Sequence, residues 1–337
     1  MMKRILASLL AVLLLLFSFT SCDASQVIND FLAQIAPEGS TTTESEIELP
    51  EVLPGSYFEA HFIDVGQADS ALVICDGFTM LIDAGNPDDD DIIIDYLEQY
   101  NVTHLNYVIA THPHSDHYGA FTSVLRNVTI DTVYSPFKVT DVSGFNKFIN
   151  YVHYTKRNQV IVPEIGEQFY LGAARVTVLG PLRTDYEDIN NTSIVLRIEY
   201  GDLAFLFTGD MEGEAELELI KTGVNLKADV IKVGHHGSYS SSWYQFLRAV
   251  QPTYGVISCG RNNEYGHPHE TVLSRYRDAD VKLYRTDMQG HIVCRSDDGK
   301  TLTFTTQMNP DANTNPTAAK EDTSYLPTYL YYEEQND

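Results

Sequence analysis

His112-Pro113-His114-Ser115-Asp116-His117 gathers three imidazoles and a carboxylate within six residues. Such a set of nitrogen and oxygen donors suits Zn²⁺, Mn²⁺ or Fe²⁺. Pro113 breaks a helical reading, so this is not the helix-borne His-Glu-x-x-His arrangement. The preceding run, Tyr107-Val108-Ile109-Ala110, is apolar and closes on Thr111, which predicts a buried strand. The donors then stand on a loop just past a strand end, where the sites of layered α/β proteins collect.

Three later strand ends repeat the pattern. Leu203-Ala204-Phe205-Leu206-Phe207 runs into Thr208-Gly209-Asp210, and Val230-Ile231-Lys232-Val233 runs into Gly234-His235-His236-Gly237-Ser238. A strand ending at Ser258 is followed by Asn263-Glu264-Tyr265-Gly266-His267-Pro268-His269. Apolar strands that deliver Asp, His and His in succession are poorly explained by packing alone. Around them, residues 58–65, 70–75 and 79–85 read as adjacent strands parted by Gly and Asp turns. Residues 192–200 and 203–207 pair around Gly201-Asp202, and 228–233 and 253–258 read as further strands. Helices are expected after the acidic run 88–91 and over 118–127, 212–221 and 242–249. Two strand-rich halves with intervening helices predict a layered α/β sandwich, its site along one edge of both sheets.

The ends of the chain read differently. Lys3-Arg4 and the apolar residues 5–19 form a signal-peptide pattern that closes on Phe19-Thr20-Ser21-Cys22, similar to a bacterial lipobox. Residues 1–21 are thus expected to be a lipoprotein signal and Cys22 a lipidated anchor to the membrane; the alternative is an ordinary secretory signal. Residues 22–54 hold seven acids and no Lys or Arg, which suits a flexible tether. A folded domain is expected over 55–308 and an acidic, Tyr-rich tail over 309–337. The formal charge is −25, about −15 of it within 55–308, and such a surface repels polyanions at long range. Cys75, Cys259 and Cys294 show no framework spacing; burial as small hydrophobes is expected for Cys75 and Cys294.

Residues 57–305 resemble the metallo-β-lactamase-fold hydrolases, and in particular the extracellular domain of the competence channel ComEC and its free-standing secreted relatives. The resemblance rests on Phe62-Ile63-Asp64-Val65-Gly66-Gln67-Ala68-Asp69, Leu81-Ile82-Asp83-Ala84-Gly85 and the metal loop. It continues in Asn190-Asn191-Thr192-Ser193, Thr208-Gly209-Asp210, His235-His236-Gly237-Ser238 and Tyr265-Gly266-His267-Pro268. Many ComEC-like members carry Asp where this chain has His114, which here matches the broader superfamily.

The resemblance implies a four-layer αββα sandwich and a centre of two divalent ions, zinc first and manganese or iron as alternatives. It implies His112 and His114 on one ion, Asp116 and His117 on the other, and Asp210 bridging. One of His235 or His236 would complete the first site and His267 the second. The superfamily usually supplies a further His before the bridging Asp; the only one here, His153, falls in a helical stretch and is left out. Asp116 or Asp210 would orient a bridging hydroxide, with His269, Tyr265 or Ser238 near the leaving group. Asp83 and Asp64 would steady ligand imidazoles and Asn191 would order the loop.

The expected function is an extracytoplasmic, membrane-tethered phosphodiesterase acting on nucleotides, nucleic acid ends or phosphocholine-type decorations. Nucleic acid enters only as a substrate, and no protein partner is implied. Hydrolysis of another ester or a lactam, or a non-catalytic metal-stabilised binding lipoprotein, are the alternatives.

Overall fold

A computed structural model describes residues 49–316 of the chain. The signal, Cys22, most of the expected tether and residues 317–337 lie outside them. The described strands are β1 Phe58–Phe62, β2 Ala71–Cys75, β3 Phe78–Ile82, β4 His104–Ile109, β5 Thr129–Tyr134 and β6 Val160–Ile161. They continue as β7 Gln168–Leu171, β8 Ala174–Gly180, β9 Val195–Tyr200, β10 Leu203–Phe207, β11 Val230–Lys232, β12 Tyr254–Ile257 and β13 Lys282–Arg285. Last come β14 Ile292–Ser296 and β15 Thr303–Thr306. One sheet runs β15-β14-β1-β2-β3-β4-β5-β6 and the other β13-β12-β11-β10-β9-β8-β7.

Alternation along the strands sets the layering. In β2, Ala71, Val73 and Cys75 face the core between the sheets, whereas Leu72 and Ile74 face a helical layer that includes Ile93, Tyr96 and Leu97. In β10, Leu203, Phe205 and Phe207 face the same central core, and Ala204 and Leu206 face Phe246, Leu247, Val272 and Tyr276 on the far side. A strand buried on both faces reads as a continuous apolar run, which is how 71–75 and 203–207 look in the sequence. The result is the expected four-layer αββα sandwich.

The register of β9 on β10, Tyr200 opposite Leu203, is the hairpin expected around Gly201-Asp202. The expected helix over 118–127 is instead two short turns, Ser115–Tyr118 and Phe121–Val124. Residues 309–316, the first of the expected acidic tail, include groups that lie against the domain. Thr314 is buried and donates to the Leu283 carbonyl, and Asn315 donates to that of Leu273. Cys75, Cys259 and Cys294 are all free and buried.

Strand direction positions the site. β3 and β4 are parallel, as are β10, β11 and β12, so their C-terminal ends open on one edge of the sandwich. Asp83, His112, Asp210, His235 and Asn263 all follow within a few residues of such ends, as in other open α/β sheets.

Candidate metal centre

Among the described residues three donor groups form here; one is Asp69, Asp83 and His117, and the other two share one carboxylate. His112, His114 and Asp210 offer three ligand atoms within 4.8 Å of one another. Asp116, His117, Asp210 and His236 offer four at the same spacing. Within the first, His112 Nε2 stands 3.1 Å from His114 Nδ1 and 3.8 Å from Asp210 Oδ2. Within the second, His117 Nε2 is 3.1 Å and His236 Nε2 3.5 Å from Asp210 Oδ2, and His236 Nε2 is 3.3 Å from Asp116 Oδ2.

Three buried atoms test whether a cation fits. His117 Nε2, His236 Nε2 and Asp210 Oδ1 have no hydrogen-bond partner, despite their closeness to one another. Buried polar atoms are nearly always paired, and leaving one unpaired costs about 1–3 kcal/mol. Lone pairs that converge without protons between them are what a divalent ion satisfies. The donors present therefore fit two such ions, four ligands for one and three for the other.

The supporting contacts fix each ring. Asp83 accepts from Thr111 N at 2.8 Å, Thr111 Oγ1 at 2.6 Å and His117 Nδ1 at 2.7 Å, so His117 directs Nε2 into the cluster. His236 Nδ1 donates to the Ser258 carbonyl at 3.0 Å with the same effect. Glu212 Oε1 lies 2.9 Å from His235 Nδ1 and also accepts from Ser240 Oγ. Asp210 N donates to Ser193 Oγ at 3.0 Å, and that hydroxyl lies 3.3 Å from His112 Nδ1. The motif at 190–193 thus anchors both halves of the first cluster. Asn191 accepts from Glu212 N at 2.9 Å and, as expected, orders the loop.

Local backbone strain brings two adjacent histidines to one place. His235 and His236 have φ of 48° and 53°, and Gly237 has 83°. Two successive non-glycine residues in the left-handed region cost on the order of 1–3 kcal/mol each. Hydrogen bonds from His235 N to the Gly209 carbonyl and from His269 N to the Gly237 carbonyl hold the turn. Side chains added at Gly209 or Gly237 would strike Ser193 or Pro268.

Charge follows the same geometry. Burial alone would push the carboxyls of Asp210 and Asp116 up, but the facing imidazoles hold both below the usual range. For His117 burial opposes protonation, yet Asp210, Asp83 and Asp116 together raise its pKa. His112, buried and facing His117, is pushed well down.

Several expectations need correcting. His236 joins Asp116 and His117, so it belongs to the second cluster and not the first. His267 was expected to complete the second cluster but lies outside both; its Nδ1 is 3.2 Å from Gln67 Nε2, and its ring is 5.7 and 6.2 Å from those of His235 and His236. His269, expected near the leaving group and not on an ion, stands 4.9 Å ring to ring from His267, with Nδ1 accepting from Tyr239 N. Ser238 is tied to Ser240 within the loop, and Tyr265 is exposed over His267. The Asp64 carboxylate accepts from Gly66 N at 3.2 Å and is not among the hydrogen-bond partners of the cluster imidazoles. His153 is exposed, consistent with its omission.

Four supporting residues escaped the sequence reading: Glu212, Ser193 as an anchor, and the buried pair Asp69 and Lys232. Lys232 Nζ lies 2.8 Å from Asp69 Oδ2, directly behind His236. A lysine inside an apolar strand leading to a histidine pair was the available signal.

The sequence profile of the metallo-beta-lactamase superfamily matches residues 63–261. ComE operon protein 3 of Bacillus subtilis is 30% identical, over 70% of this chain and 33% of its own length. Competence protein ComA of Neisseria gonorrhoeae is 32% identical, over 72% of this chain and 33% of its own. The chain thus spans about a third of these curated relatives. Among solved structures, the metallo-beta-lactamase fold protein YhfI of Bacillus subtilis superposes with a TM-score of 0.50 at 12% identity, covering 71% of this chain and all of that one, a likeness of fold alone. With more than half of its length matched by the profile, and with these competence proteins as relatives, the chain belongs to the metallo-β-lactamase superfamily of hydrolases.

Proposed function

We propose that the chain is a binuclear metal-dependent phosphodiesterase, with zinc the first choice of ion ahead of manganese or iron. The observation that carries the reading is the Asp210 carboxylate, which belongs to both donor clusters. His112, His114 and Asp210 would hold one ion, and Asp116, His117, His236 and Asp210 the other. His235, with Nε2 3.8 Å from Asp210 Oδ2, is the next nearest imidazole to the shared carboxylate. When bound, such a pair supplies an activated water at neutral pH and offsets charge that develops on a phosphoryl oxygen.

The protein's own part is orientation. Asp83 and the Ser258 carbonyl fix the tautomers of His117 and His236, and Glu212 does the same for His235. Asp116, the part-exposed member of the second cluster, is held ionised by His117 and His236 and would accept a hydrogen bond from an incoming water. Burial lowers the pKa of His269, so at neutral pH it is uncharged and suits hydrogen bonding to a leaving oxygen. The names of two relatives link those proteins to competence, so nucleic acid ends stand among the substrates. The charge of −25 favours short substrates over an extended polyanion. Lipidated Cys22 would hold the domain at the extracytoplasmic membrane face. No helix among the described residues is long and apolar enough to cross a membrane.

Metal analysis of the purified chain, with hydrolysis of bis(p-nitrophenyl) phosphate before and after chelation, tests this. Two ions per chain and metal-dependent turnover are expected. Two ions without turnover would shift the chemistry to other esters or lactams, and no tightly bound metal would end the binuclear reading.

A further inference from the structure

Beside the donor clusters lies a pocket of about 510 Å³. His267 and Pro268 form part of its wall, with Arg261, Arg285, Met288 and Met308 among the rest. The Arg285 guanidinium is taken up by Asp287, Nε to Oδ1 at 3.0 Å and Nη2 to Oδ2 at 2.7 Å. Arg261 has no hydrogen bond or ion pair among the described residues. The carboxylate in the same wall, Asp287, is engaged by Arg285 and not by Arg261.

The Arg261 side chain is exposed, and the loop that carries it is hydrogen-bonded on both sides. Gly260 N donates to Gln67 Oε1 at 3.0 Å, and Gln67 Nε2 stands 3.2 Å from His267 Nδ1. Asn263 Nδ2 donates to the carbonyls of Gly260 at 2.8 Å and His267 at 2.6 Å, while its Oδ1 accepts from His267 N at 2.9 Å. The loop that carries Arg261 is therefore closed on itself and clamped by Gln67 to the first sheet. The same clamp orients His267, the imidazole between the pocket and His235 and His236. An unpaired, exposed guanidinium carried on a hydrogen-bonded loop is suited to recognising paired oxygens of phosphate. The two methionines supply an apolar wall for the organic part that carries it.

We propose that this pocket is an anion subsite: with the scissile phosphodiester at Asp210, Arg261 binds a second phosphate of the same substrate. The proposal rests on the phosphodiesterase reading for the scissile position, and makes selectivity for multiply phosphorylated substrates its consequence.

The test compares the metal-loaded full chain on thymidine 5′-(p-nitrophenyl phosphate) and on the same ester bearing a 3′-phosphate. The ratio of kcat/KM should favour the 3′-phosphate about tenfold or more through KM, fall to near one in Arg261→Gln, and survive in Arg261→Lys. In parallel, equilibrium dialysis of thymidine 3′,5′-bisphosphate against chelator-treated full chain should show binding weakened about tenfold in Arg261→Gln. No preference in the unmodified chain, or a preference that persists in Arg261→Gln, overturns the subsite. If neither ester is cleaved, the phosphodiesterase reading fails. The dialysis result then decides the subsite alone: loss of binding in the Gln variant upholds it, and equal or absent binding overturns it.

Discussion

The ammonium of Lys232 lies 2.8 Å from the carboxylate of Asp69, and both side chains are almost completely buried behind His236. Lys232 Nζ also donates to the Val233 carbonyl at 2.9 Å, so the pair braces the turn from which both histidines project. Removing one member strands the other charge in the interior. Lys232→Met should destabilise the fold by about 3–5 kcal/mol in urea unfolding, and Lys232→Met with Asp69→Asn should recover a large part of that. Equal losses in the single and double variants would show that the pair does not act as a unit.

Asp210 belongs to both clusters, so Asp210→Ala should remove bound metal from both and abolish hydrolysis while far-ultraviolet circular dichroism stays unchanged. Undiminished turnover in that variant would rule out a two-ion centre.

The corrected ligand set separates two histidines. His236→Ala should lower the metal content by about one ion per chain, and His267→Ala should leave it near two. The opposite pattern would restore the assignment that the sequence suggested.

Asp83 touches no cluster atom except through His117 Nδ1. Asp83→Asn should therefore weaken metal binding about 10- to 100-fold, read by competition with a chelating dye, at constant stoichiometry in excess metal. An unchanged affinity would remove the carboxylate from the centre's support.

Glu216 sits fully buried under the loop, accepting from the amides of Ser242 and Trp243, and burial pushes its carboxyl up to about 8. The folded value lies above the unfolded 4.5, so the native state binds more proton between the two. Its contribution is fully present below pH 4.5 and lost as pH rises to about 8. Relative to Glu216→Gln, the unmodified chain should lose stability across that window, by at most about 5 kcal/mol. Parallel profiles of denaturation midpoint against pH would contradict the shift.

Strand ends and layering were legible because burial on both faces writes continuous apolar runs, as in 71–75 and 203–207, and because the donors follow those runs directly. The metal loop and Asp210 were readable for the same reason. The division of labour between His235 and His236 was not. Neighbouring residues ordinarily diverge, and only the left-handed backbone at both positions brings the two rings to one carboxylate. His267 misled because sequence order shows that a loop reaches the edge but not how far Gln67 draws it aside. Lys232 and Asp69 stand 163 positions apart, and nothing local announces their pairing.

The central place of β1 constrains the order in which the fold can be completed. β1 is flanked by β2 on one side and β14 on the other, with Phe58 opposite both Cys75 and Ser296. The second sheet is spelled out entirely between these partners. A nascent chain must therefore keep one flank of β1 unsatisfied until nearly all of the domain has emerged. Closing so long a loop is slow, and the waiting flank is a template for pairing with other chains. Assembly of this molecule depends on its last strands arriving, and shortening the chain before β14 would leave the open flank permanent.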